Sequence, residues 1–186
     1  MLKLPNFYQK LESTPDDPPR SEIYGVRGET FQSIVRMFPL PKEYAMPLNT
    51  SEIIKGIHVN LGDNQGIIEI EKGKTKNGYD FVYSIIKTKL EPSGLEYFLR
   101  MHIFAKEVIE LDIFSDEIGT TGMRENMVFA MLKLKNFDDW SCDPYDKEYK
   151  KGLLMNKSED RKYDDMTRGH PLTELRKTLE FICNNN

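Results

Sequence analysis

The chain has 186 residues, with 26 basic and 30 acidic side chains and a formal net charge of -4. That balance argues against nucleic acid as the main partner, since phosphate binding asks for a basic face. No apolar run nears the ~20 residues of a membrane-crossing helix. The opening Met1 to Lys10 is too poor in apolar residues for a secretory signal, and Cys142 and Cys183 stand in distant segments. The expectation is one reduced, cytoplasmic domain over 1–186, with no disulfide framework, membrane association, metal or cofactor.

The first 20 residues end in Ser13-Thr-Pro-Asp-Asp-Pro-Pro-Arg20, which predicts an irregular arm. A short strand is expected over 22–26. After the turn at Gly28 and Glu29 comes a longer strand, Thr30 to Phe38, with Phe31, Ser33, Val35 and Met37 on one face and Pro39 and Pro41 ending it. Asn49 and Glu52 have the spacing of a capping box for a helix from Thr50 to about Asn60, with Ile53, Ile54 and Ile57 on one side. A strand from Gln65 to Glu71 leads to Asn77-Gly78, a strong hairpin signal. The next strand, Tyr79 to Lys89, has apolar residues on both faces.

The segment 95–115 carries the sharpest pattern. Both of its halves alternate apolar and polar residues with period two, which marks two strands that each bury one face. Pairing them about Ala105 to Glu107 sets Ile103 against Ile109, Met101 against Leu111 and Leu99 against Ile113. On the other face His102 meets Glu110, Arg100 meets Asp112 and Phe98 meets Phe114. A one-residue slip would set Met101 against Glu110, so the alternation specifies the register. Ile118-Gly-Thr-Thr-Gly122 then leads to a helix from Met123 to about Leu134, with Met123, Met127, Met131 and Leu134 at helical spacing. Residues 135–170 show no sustained period and read as an irregular acidic and aromatic segment. The last helix, Pro171 to about Cys183, carries the stripe Leu172, Leu175, Leu179 and Ile182.

These elements define an α+β fold, an antiparallel sheet of about six strands flanked by three helices. Their order over residues 22 to 134 resembles the α/β/α sandwich of the PsbP-like superfamily. The resemblance lies in the order of elements and matches no functional motif, so what it implies is a fold.

Four features invite chemistry. On the polar face of the central hairpin, Arg100, His102, Glu110 and Asp112 offer either a ligand-binding floor, with a histidine tunable by a carboxylate, or ordinary cross-strand charge pairs. The loop Asp116 to Glu125 can present helix amides, Thr120, Thr121 and Arg124 to an anion. It lacks the Gly-Lys-Ser/Thr ending of a P-loop, and Asp116 and Glu117 oppose a phosphate, so capping by Thr120 or Thr121 is the simpler reading. In the stretch Asp138 to Asp146, Pro144 and Lys150 fall where a calcium loop needs Gly and Glu. Trp140 there is either an internal pin or a partner anchor. Finally, Met155 to Asp160 and His170 to Arg176 look specific but suggest no reaction.

His58, His102, His170 and the two cysteines show no zinc or nucleophile spacing. The expected function is therefore a non-catalytic protein-binding or regulatory module. The alternative is a small-molecule binder or unrecognised enzyme that uses the charged sheet face as its pocket.

Overall fold

The computed structural model describes residues 2–134, 136 and 139–186. Seven strands form one sheet: β1 Gln9–Leu11, β2 Glu22–Arg27, β3 Phe31–Leu40, β4 Gln65–Lys74, β5 Asp80–Lys89, β6 Leu95–Phe104 and β7 Val108–Glu117. Three α-helices accompany it: α1 Thr50–Asn60, α2 Met123–Leu132 and α3 Pro171–Asn185. The sheet order is β1-β2-β3-β7-β6-β5-β4, and every neighbouring pair is antiparallel. Strands β4 to β7 run as a meander. Helix α1 carries the chain from β3, near the middle, to β4 at the edge.

The strand beyond the six expected is β1, three exposed residues within the N-terminal arm that pair Gln9 with Gly25 and Leu11 with Ile23. Nothing in its own alternation marks it, because so short an edge strand has no buried face to encode. Strand β3 also runs through Pro39 to Leu40 instead of stopping before the proline. The β2 pairing ends at Met37, so at Pro39 the missing amide donor lies where β3 has no neighbour on that side.

The register read from the alternation is the one observed. His102 pairs with Glu110, Arg100 with Asp112, Met101 with Leu111 and Phe98 with Phe114. Leu99, Met101, Ile103, Leu111 and Ile113 face the main core, with Val35, Tyr83, Ile85 and Tyr97 beside them. Helix α3 closes that core with Leu172, Leu175, Leu179 and Ile182. Its C-terminal end pins the β4–β5 turn, where Lys76 and Asn77 donate backbone bonds to Cys183 and Asn186. Gly78 takes the left-handed conformation that turn requires, φ 84°.

The opposite face is covered at one end only. Helix α1 lays Ile53, Ile54 and Ile57 over Ile67, Ile70 and Val82. Its N-cap is Asn49, whose side chain accepts from Ser51 N. Glu52 bonds the Asn49 side-chain amide, a variant of the expected capping box. A β-bulge at Ile67 to Glu69 turns Ile68 toward the main core while Ile67 and Ile70 stay under α1.

Candidate functional site

The charged row on the central hairpin lies on the face that α3 leaves uncovered. Asp112 is fully buried and accepts from two arginines. Arg100 Nε lies 2.9 Å from Oδ1, and Arg36 Nη2, from β3, lies 2.8 Å from Oδ2. Burial works against the Arg100 charge, but the hydrogen bond to Asp112 and the charges of Asp112 and Glu110 together outweigh it and raise the guanidinium above its ordinary pKa. Arg100 and Arg36 also stack over Phe98 and Phe114, respectively. His102 is buried. Its Nδ1 accepts from Met46 N at 2.7 Å, which leaves the ring proton on Nε2, facing Glu110 Oε2 at 2.9 Å. Both nitrogens are thus engaged within the fold. Arg36 was not legible in the hairpin alone, because its partner is set by the β3–β7 pairing.

A larger polar assembly lies on the other face, under the segment that suggested no reaction. Lys87, a fully buried lysine on β5, donates to Glu159 Oε2 at 2.7 Å, and Tyr97 Oη donates to Glu159 Oε1 at 3.2 Å. Asn156 and Glu159 cap each other's backbone in a capping box, which fixes the Lys157–Glu159 turn. Arg124 from α2 donates to Ser158 O, Asp160 O, Thr167, Thr173 and Asp164. Arg176 from α3 bridges Asp164 and Glu69. Arg161 and Tyr83 complete the shell around Glu69. Burial pushes the Glu69 carboxyl up, but Arg161 and Arg176 outweigh it, and its pKa falls below the ordinary value. Burial drives the Tyr83 phenol strongly upward, so it acts as a donor. The Asn-x-x-Glu spacing and the His-Pro helix start were the available signals for this region.

The loop before α2 is organised differently from expectation. Neither threonine caps the helix. The N-cap is Gly122 at φ 73°, with no side-chain cap. Glu117 instead accepts from Gly122 N and Leu95 N. Beside it lies a cavity of about 190 Å³ lined by Glu117, Thr120, Met123, Met127, Met166 and His170, among others. Met123, Met131 and Met166 are 58%, 50% and 48% exposed. Arg168 also lines this cavity, and Lys133 ends α2; neither has an ion-pair partner among the described residues.

The acidic and aromatic segment wraps the β4 edge. Tyr145 Oη bonds both the amide and the carbonyl of Ile70, and Leu153 N donates to Gln65 O at 2.7 Å. His58 of α1 stacks on Tyr149 and lies 2.9 Å from Asp143. Trp140 is half-buried, edge-on to Phe129 of α2 at 5.2 Å. Asp138 and its neighbours Lys135 and Phe137 lie outside the described residues. Cys142 is exposed, and burial pushes the Cys183 thiol up to about 11, which disfavours its reactive thiolate.

Among the described residues, Glu117, Glu125 and His170 are close enough to share a metal ion, their candidate ligand atoms lying within 4.8 Å of one another. The histidine argues against one. Its Nδ1 accepts from Leu172 N as the cap of α3, so the ring proton sits on Nε2, the nitrogen that would have to ligate.

The fold is thus that of an α+β protein with a seven-stranded antiparallel sheet. No protein-family model and no curated protein matches the sequence. The structure is similar to the solution structure of cyanobacterial PsbP (CyanoP) from Synechocystis sp. PCC 6803. The TM-score is 0.41 and the identity 13%, over 69% of this chain and 78% of that one. This weak similarity concerns the fold alone.

Proposed function

We propose that the chain is a non-catalytic module that binds another protein, and that the outer face of α2 is the docking surface. The observation that carries this reading is the set of exposed methionines: Met123 and Met166 line a small cavity together with Met127, and Met131 is exposed further along α2. Methionine side chains are flexible and polarizable, and they recur on surfaces that accept apolar anchors. The occupant is an amphipathic segment of a partner. One apolar side chain enters the cavity, and an acidic flank meets Arg168 at its rim, which has no ion-pair partner among the described residues. Trp140 braces α2 from beside Phe129 and belongs to the same region.

The charged sheet row supports the alternative less well, because its acids and bases satisfy one another. Asp112 holds two arginines and His102 has both nitrogens bonded.

A photo-crosslinking side chain at position 131 tests the proposal against one at position 59, where Val59 is 83% exposed on α1. A defined partner is expected from position 131 and not from 59, and Met123→Glu should abolish it in a chain that remains folded by circular dichroism. Equal capture from both positions, or capture indifferent to Met123→Glu, would contradict it.

A further inference from the structure

We infer that Glu117, Glu125 and His170 form a proton-held latch between the end of β7 and the starts of α2 and α3, and that loss of its proton opens the methionine-lined cavity. The inference rests on the proposed docking face, whose access the latch would control.

The three side chains come from three elements: Glu117 from the end of β7, Glu125 from the first turn of α2, and His170 from the N-cap of α3. The proton positions follow from their hydrogen bonds. His170 accepts at Nδ1 from Leu172 N, so its proton is on Nε2 and a second ring proton would displace the cap. Nε2 is buried, has no hydrogen-bond partner among the described residues, and lies 3.5 Å from Glu117 Oε1. Glu117 is committed to two backbone donors, Leu95 N and Gly122 N. Both Glu125 oxygens are buried with no hydrogen-bond partner among the described residues.

An ionised carboxylate in that setting has one nearby side-chain donor, the His170 Nε2 proton, which also faces Glu117, and that single group does not offset its desolvation. A protonated one does not carry that burden. Burial, with the charges of Glu117 and Glu159, raises the Glu125 pKa despite its own backbone amide and His170. The other groups around it do not supply a free cation. Lys87 is paired to Glu159, Arg124 is bonded to the 158–173 segment, and burial holds the Tyr97 phenol neutral.

The sign follows from linkage. A carboxyl whose folded pKa is raised contributes its full stability below the unfolded value, about 4.3. That contribution is lost as pH rises through the folded pKa. Ionised Glu125 then sits against Glu117, and the repulsion separates the start of α2 from the end of β7, beside which the N-cap of α3 lies. The cavity lies at that junction, since its lining includes Glu117 of β7, Met123 and Met127 of α2, and His170 and Pro171 at the start of α3.

The experiment compares hydrogen-exchange protection factors of α2 amides at pH 5 and pH 8 in the wild type and in Glu125→Gln, which stays neutral throughout. Each pKa unit of elevation is a tenfold change in the opening equilibrium. Wild-type α2 should therefore lose protection at pH 8, while the variant keeps its protection. Carboxyl carbon-13 titration of the wild type provides a second readout that needs no variant, and Glu125 should titrate above an ordinary glutamate. A normal Glu125 titration overturns the inference, as does an equal loss of protection in both proteins. Stoichiometric binding of zinc that disappears in Glu125→Gln would also overturn it, making the trio a metal site. None of these readouts involves the partner, so the latch and the docking face can fail separately.

Discussion

Asp112 and Arg100 share a hydrogen-bonded pair yet differ in environment. Asp112 is 0% exposed and receives two guanidinium groups, whereas the Arg100 side chain is 39% exposed. Removing Asp112 breaks its buried hydrogen bonds to both arginines at once and empties a fully buried site, at a cost of about 3–5 kcal/mol. Removing a solvent-screened partner costs about 1 kcal/mol or less. Asp112→Ala should therefore destabilise the protein severely and Arg100→Ala mildly, as read by urea denaturation. Similar small losses from both would mean that the row is not structural. This asymmetry marks the limit of what the hairpin sequence could show. The pairs Arg100–Asp112 and His102–Glu110 were legible because both partners sit on adjacent strands. Arg36 and the Met46 amide reach the same groups from β3 and from the segment before α1, and local alternation carries no information about either.

At the scale of elements, the β4 edge is the exposed liability of the sheet, and the 143–153 segment covers it. Gly66 is essential to that contact: a Cβ there would fall 1.7 Å from Leu153 O, a backbone atom that cannot yield alone. Gly66→Ala should detach the wrap and uncover the edge, which native sheets protect against intermolecular pairing. The expected result is concentration-dependent aggregation in light scattering and faster proteolysis between 143 and 153. An unchanged, monodisperse protein would show that the wrap is dispensable. The same element explains why the region resisted reading. Its residues form turns and single contacts, Tyr145 to Ile70, His58 to Asp143 and Asn156 to Glu159, so no period exists to detect. The α3 stripe and the α2 methionines were visible because helical spacing encodes one face. That Met123 and Met131 face outward is set by where Arg124 and Val128 are anchored.

Across the whole molecule, buried ionisable groups shape a stability that falls on both sides of a pH optimum. Glu69 has a lowered pKa, so its stabilisation is present above the unfolded value, about 4.3, and is lost as pH falls through the folded one. Glu125 acts in the opposite sense on the alkaline side. Urea midpoints should decline below about pH 4, and Glu69→Gln, already weaker at pH 7, should show a shallower acid limb. Parallel acid limbs in the two proteins would exclude Glu69 as a source of the decline.

The proposal that α2 is where the chain meets its partner is tested most directly by methyl NMR. The methionine methyl groups would be followed while the partner captured from position 131 is added. The resonances of Met123, Met127, Met131 and Met166 should shift and broaden, while the core methyls of Met37 and Met101 stay in place. Shifts confined to other surfaces, with the α2 methionines unmoved, would contradict it.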